Sequence, residues 1–305
     1  MLSIIIVSWN VRDLLAACLR TIQANAGGLT LEIIVVDSAS TDGTPALLRE
    51  QFPTVRLLAQ TENVGFTRGN NIGLKAATGQ YILLLNPDTE IIGDALPTLV
   101  SYLETHLETA IVGPHTLNSD GTTQSSKRRF PTLLTGIFES THLQSLAPRR
   151  LLDRFYAKDI PDTATAQVDW VQGSAILFRR EVYDQIGGLD EGYVMYSEEV
   201  DWCKRAHDAG FQLVYLGSAS IIHHGGKSTE QASARTHIYF QQSKLRYFRK
   251  HHGVVAAGIL RLVVLWSYGQ QMLEEWLKGV IGHKRTLRRE RVTLYRQVLR
   301  GLLAS

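Results

Sequence analysis

The chain of 305 residues is poor in cysteine, having only Cys18 and Cys203, far apart in sequence. Two thiols so placed give neither a disulfide framework nor a paired zinc spacing, and they fit a reducing compartment. Long apolar runs are also missing. The nearest, Gly253–Met272, is broken by Arg261 and by Gln270-Gln271, and falls short of the roughly 20 residues a spanning helix needs. The apolar stretch after Met1 is too short for a signal peptide and lacks a basic leader, so the chain is expected to stay in the cytoplasm. Net charge is small, +3, and its basic part sits in residues 278–305, with eight Lys/Arg against Glu290. The remainder is net acidic, which argues against nucleic-acid binding by the whole chain.

What is present is an alternation. Ser3–Val7, Leu31–Val36, Val55–Ala59 and Tyr81–Leu85 are short apolar runs of the kind buried on both sheet faces. Helical patterns at Val11–Gln23, Thr44–Gln51 and Thr67–Ala77 separate them. Four strands in under 90 residues, each with a helix between, predict a doubly wound, mostly parallel, Rossmann-like sheet. Ligands bind beyond the carboxyl ends of such strands, so Ser8, Asn10, Asp37, Asn86 and Asp88 are expected at one crevice. Further helices are predicted over 94–107, Arg180–Ile186 and Glu198–Ala209, and strands over Val168–Phe178 and Phe211–Leu216. Residues 115–168 show no clear period and read as a mobile or acceptor-facing insertion. From Arg235 the pattern is helical to the end, giving a C-terminal helical extension.

Four segments carry chemistry. Asp37 with Ser38-Ala39-Ser40-Thr41-Asp42-Gly43 is a loop able to hold a base imide or ribose hydroxyls, though the same residues also suit an ordinary capped turn. The run Asn63-Val64-Gly65-Phe66-Thr67-Arg68-Gly69-Asn70-Asn71 offers amides and a guanidinium to an anion at a helix start. Its glycine spacing is not that of a dinucleotide fingerprint, and no Gly-Lys-Ser/Thr occurs in it. Asp88, after the apolar strand and Asn86-Pro87, suits a Mg²⁺ or Mn²⁺ bridged to a diphosphate; it also suits a plain turn. Last, Glu198, Glu199 and Asp201 crowd one helix start, two dozen residues before His223 and His224. They read either as a general base with a metal ligand nearby or as acids favoured by the helix dipole.

In combination these segments resemble family 2 glycosyltransferases of GT-A fold, in the subgroup of rhamnosyltransferases and galactofuranosyltransferases. The resemblance rests on VSWN, VVDSASTDGT, NVGFTRGNN, LLLNPDTE, GSAILFRREVYDQIGGLDEGYVMYSEEVDWCKRAHDAG and IIHHGGKST, in that order, over about residues 2–250. It implies a GT-A domain over 1–230, with a nucleotide-sugar half at 1–90 and an acceptor half at 91–230, followed by a basic helical extension over 231–305. It implies that Asp37 contacts the base and that Ser8, Asn10, Asn63, Gly65, Arg68, Asn70, Asn86 and Asp88 serve the nucleotide sugar. Asp88 and His223, or His224, would ligate Mg²⁺ or Mn²⁺. Glu199 falls at the family's general-base aspartate, one methylene longer, so Glu198 remains a rival and Asp201 reads as structural. Trp170, Gln172, Gly173 and Tyr196 would line the acceptor side. The implied reaction inverts configuration, with a UDP- or dTDP-linked sugar, rhamnose or similar, as donor and a glycan or lipid-linked acceptor. The alternative is a non-catalytic nucleotide-sugar-binding scaffold of a polysaccharide assembly complex. The apolar 253–272 stretch and the cationic 278–300 helix suit peripheral contact with the inner face of the plasma membrane, or a dimerisation arm, leaving oligomeric state open.

Overall fold

A computed structural model describes residues 1–139, 141–225, 233–282 and 284–303. In chain order the elements are β1 (Leu2–Ser8), α1 (Arg12–Ala24), β2 (Leu31–Asp37), α2 (Thr44–Gln51), β3 (Arg56–Ala59), α3 (Gly65–Ala76), β4 (Tyr81–Leu85) and β5 (Thr89–Ile91). Then come α4 (Ala95–Thr105), β6 (Thr109–Leu117), β7 (Lys127–Arg128), α5 (Leu133–Phe138), α6 (Arg149–Phe155), β8 (Thr165–Gln167), β9 (Trp170–Val171) and β10 (Ala175–Arg179). The last are α7 (Arg180–Ile186), α8 (Glu198–Asp208), β11 (Gln212–His223), α9 (Ser233–Val280) and α10 (Arg285–Leu303).

The chain divides into two compact units. The first comprises Met1–Phe130, Tyr156–Gly192 and Glu198–Ser228; the second comprises Pro131–Phe155, Tyr193–Ser197 and Thr229–Ser305. The expected boundary at 230/231, and the Gly226-Lys227-Ser228 end of the histidine motif, lie outside the described residues.

The first unit is a sheet in the order β3-β2-β1-β4-β10-β6-β11-β5, with β8 beside β11. The alternating first half folds as the pattern predicts: β1 pairs in parallel with β2 and β4, and β2 with β3. The second half mixes directions, because β10 runs antiparallel to both β4 and β6, and β5 antiparallel to β11. Every residue of β1 is buried, as a central strand covered on both faces requires. Glycine sets the distance of one covering helix. A Cβ on Gly69 or Gly73 of α3 would stand 2.7 Å from Val7 Cγ1 or 2.3 Å from Ile5 Cγ2, so this helix lies directly on β1.

Three sequence expectations are adjusted. The strand expected over Val168–Phe178 is two strands, β9 and β10, separated by a turn at Gln172–Ser174. The strand expected over Phe211–Leu216 continues to His223. Its Gly217-Ser218-Ala219 reads as a terminator but forms an irregularity, with a register shift between Leu216 and Ser220. Residues 115–168, which carry no legible period, supply β7, α5, α6 and β8.

The second unit is helical. After a break at Gly253 (φ 85°), α9 continues and α10 turns back against it. Glu275 accepts from Arg288 Nη1 at 2.8 Å, and buried Lys244 is paired with Glu139. Gly136 of α5 gives room to Phe248: a Cβ there would stand 2.5 Å from its ring.

Candidate active site

Strand register brings the polar residues together. Ser8 lies opposite Asp37, Ile6 opposite Leu85, and Leu85 opposite Ala175. One step on, Asn86 N–H donates to Ser174 O at 2.9 Å. Asp37, Ser8, Asn86 and Ser174 therefore form a row across the ends of four adjacent strands. Asp37 Oδ1, Ser8 Oγ, Asn86 Oδ1 and Ser174 Oγ are all buried with no hydrogen-bond partner among the described residues. Buried polar atoms are nearly always partnered, and ligands of open α/β sheets bind at this crest.

The loop after β2 separates its two aspartates by role. Asp42 caps the start of α2, accepting from Thr44 N at 3.1 Å and Arg12 N at 2.9 Å. Asp37 uses Oδ2 to accept from Ser40 N at 3.0 Å and leaves Oδ1 unengaged. Asn10, in the left-handed region at φ 51°, ties the two loops by accepting from Thr41 N at 2.8 Å.

The asparagine-glycine run is more internally bonded than its composition implies. Asn63 Oδ1 accepts from Ser38 Oγ and from Gly65 N, the latter at φ 73°. Asn70 is buried and donates to Phe66 O at 3.0 Å. Arg68 is exposed, 3.5 Å from Glu62.

The two histidines part company where β11 ends at His223. His223 is buried and its Nε2 lies 3.4 Å from Asp88 Oδ1 and 3.2 Å from Asn86 Nδ2. Its Nδ1 lies 2.9 Å from Gln124 Oε1, while Gln124 Nε2 donates to His223 O at 2.8 Å, so the amide holds the ring with Nε2 towards Asp88. His224 points elsewhere, to Glu90 Oε1 at 2.7 Å and Ser119 Oγ at 2.7 Å. Among the described residues no three His, Cys, Asp or Glu groups cluster as a metal cage. A carboxylate with one imidazole, beside the orphaned Asn86 Oδ1, nonetheless fits a divalent ion that takes its other ligands from a diphosphate.

Glu198 and Glu199 open α8, the chain entering it through two non-glycine residues at positive φ, Tyr196 (70°) and Ser197 (63°). Both carboxyls have one oxygen, Oε2, buried without a partner. Burial raises the pKa of each. For Glu198 the neighbouring Glu199 raises it further, well above the usual carboxylate range. For Glu199, backbone N–H groups and the positive charge of Arg128 oppose the rise. Glu199 lies against the β9–β10 turn, where a Cβ on Gly173 would stand 3.4 Å from its own Cβ. Asp201, completely buried, accepts from Arg205 Nε at 3.0 Å, while that guanidinium also donates to Ile186 O and Gly188 O. This is a structural tie.

Trp170 donates from Nε1 to Arg129 O at 3.1 Å, and Gln172 N–H donates to Ser126 O at 2.8 Å. Tyr196 belongs to the second unit, where it meets Phe240 edge to face at 5.6 Å. Two participants escaped the sequence reading. Arg128 sits in a Lys127-Arg128-Arg129 triplet that could have drawn attention, whereas Gln124 carries no local signal.

The mixed sheet, its row of unpartnered polar atoms and the buried acid pair are set beside known proteins as follows. The family model described as "Glycosyl transferase family 2" matches residues 3–187, and the chain belongs to that family. It is 28% identical over 248 residues, 78% of its own length and 79% of the other, to the N-acetylglucosaminyl-diphospho-decaprenol L-rhamnosyltransferase of Mycobacterium tuberculosis. It is 27% identical over 194 residues, 61% of this chain and 70% of the other, to the rhamnosyltransferase WbbL of Escherichia coli. The fold matches a mannosyltransferase of Pyrobaculum calidifontis solved with GDP-Man and Mn²⁺, with TM-score 0.59 and 17% identity over 99% of this chain and 86% of that one. The protein is thus a rhamnosyltransferase-like enzyme of the glycosyltransferase class.

Proposed function

We propose that the enzyme transfers rhamnose or a related sugar, with inversion, from a UDP- or dTDP-linked donor to a hydroxyl of a lipid-linked or cell-surface glycan. The observation that carries this reading is the row of unpartnered buried acceptors at the strand ends, continuing through Ser174 towards Gly173 and Glu199. Asp37 Oδ1 is the acceptor for the imide N–H of uracil or thymine. Ser8, Asn10, Asn63, Gly65, Arg68 and Asn70 shape the nucleotide-sugar side. Trp170, Gln172 and Gly173 face the acceptor.

Asp88 Oδ1 and His223 Nε2, with Asn86 as a weaker contact, would hold Mn²⁺ or Mg²⁺; the imidazole donor favours manganese. When bound, the ion neutralises charge developing on the leaving diphosphate. Gln124 holds the His223 ring with Nε2 towards Asp88. Glu199 accepts the proton of the acceptor hydroxyl as that oxygen attacks the anomeric carbon, and Glu198 stays neutral behind it. The Mycobacterium tuberculosis relative is named for a diphospho-decaprenol acceptor, and work on such a lipid supports a location at the cytoplasmic membrane face for this enzyme.

A donor panel tests the reading: release of UDP or dTDP with an isoprenoid-diphosphate sugar acceptor, with and without Mn²⁺, and the anomeric configuration of the product by NMR. Acceptor-dependent release with inverted product is expected. Retention of configuration, or turnover by Glu199→Gln equal to wild type, overturns it.

A further inference from the structure

Beyond Gly253, α9 carries apolar residues on two faces. Its buried face holds Leu260, Val264 and Tyr268 together with Ser267 and Glu275, with Gln271 half-buried beside them. The residues that face outward are Val255, Ile259, Leu262, Trp266, Leu273 and Val280, Leu262 being 69% exposed and Trp266 51%. Their spacing of three, four or seven puts them on one stripe. At 1.5 Å per residue the stripe is about 38 Å long. Trp276, also exposed, flanks it. From residue 254 to residue 273 the only charged side chain is Arg261, and it turns away to donate to Leu302 O. A helix of a water-soluble protein buries one apolar face and leaves the other side polar; this one exposes a second apolar face, over a length that marks an interaction surface.

We infer that this stripe of α9 is a lipid-binding face, which lies in the surface of an anionic bilayer with Trp266 and Trp276 at headgroup depth. The charge beside it selects that partner. Lys278, Lys284, Arg285 and Arg289 are exposed where α9 turns into α10, at the end of the stripe, and cations there meet lipid phosphates. The helix is long and apolar enough to cross a membrane by composition. Its inward face excludes crossing, since Ser267, Gln271 and the Glu275–Arg288 pair are packed within the unit and would have to enter hydrocarbon. The helix therefore lies flat. In purpose, though not in physical basis, this rests on the proposed lipid-linked acceptor, which the bilayer would present to the enzyme in two dimensions.

The test is flotation of the full chain with phosphatidylglycerol-containing vesicles and with pure phosphatidylcholine vesicles. Wild type is expected to float with the former and more weakly with the latter. Leu262→Glu/Trp266→Glu is expected to lose about tenfold or more in partitioning, with circular dichroism and UDP or dTDP binding unchanged. Tryptophan emission of the wild type should shift to the blue on adding anionic vesicles, a readout that needs no variant. Failure of the wild type to float, or equal flotation of the variant, overturns the inference. So does a wild-type dimer by sedimentation that the variant abolishes while neither floats, since the stripe is then a self-interface. Flotation without any donor turnover leaves this inference standing and removes the glycosyl-transfer reading instead.

Discussion

The two units differ in where their awkward groups gather. The sheet unit lines up buried polar atoms that have no hydrogen-bond partner among the described residues: Asp37 Oδ1, Ser8 Oγ, Asn86 Oδ1, Ser174 Oγ and one oxygen each of Glu198 and Glu199. The helical unit also buries Gln241 Oε1 in this way, but it pairs its buried charges, Lys244 with Glu139 and Glu275 with Arg288, and its larger departure is the apolar side chains it leaves outside. Each departure from ordinary folding marks the chemistry of what is missing. A buried acceptor without a donor calls for a polar ligand, and an exposed apolar stripe for an apolar one.

That contrast can be broken by substitution. The largest effect is expected from Glu199→Gln, a loss of about 10²–10⁴ in kcat at unchanged donor affinity. Glu198→Gln should cost less than about tenfold; the reverse ranking would reassign the base. Asp88→Asn should lower kcat/KM by about 10²–10³ and blunt its dependence on added Mn²⁺, measured by metal titration. Gln124→Leu, which frees His223 Nδ1, should weaken Mn²⁺ binding about 10–100-fold by isothermal titration while circular dichroism stays the same.

Smaller effects sharpen the comparison through pH and stability. Because burial raises the Glu199 pKa, the acid limb of the kcat/KM profile should lie above the ordinary carboxylate range, with activity falling as pH drops through it. Arg128→Met removes a charge that opposes the rise, so the limb should move further up. Glu198 also has a raised folded-state pKa, so its neutral form favours folding. That contribution is full at pH below the unfolded-state value and is lost as pH rises towards the folded one. Glu198→Gln should consequently raise Tm more at alkaline than at acid pH. In the helical unit, Gly136→Ala should destabilise by about 1–3 kcal/mol, seen in calorimetry, because the added methyl meets Phe248.

Much of the first half was legible because parallel strands buried on both faces are continuous apolar runs, and their last residues are the site. The distinction between His223 and His224 was not legible, since it depends on where β11 ends. The packing role of the glycines at 69 and 73 was not read from the sequence. Their spacing of four is that of a helix face, and they let α3 lie on Ile5 and Val7. Arg128 was out of reach because its importance comes from a short β7–β9 pairing between residues 42 and 44 positions apart. The antiparallel β10 was missed as a reversal because an isolated apolar run carries no direction.

The irregularity in β11 between Leu216 and Ser220 has a consequence for how the site can change over time. Beyond it, every residue's facing is a matter of odd or even count. Removing one residue there would exchange the two adjacent imidazoles, bringing His224 towards Asp88 and sending His223 to Glu90. The register of β11 thus decides which of two neighbouring imidazoles stands beside Asp88.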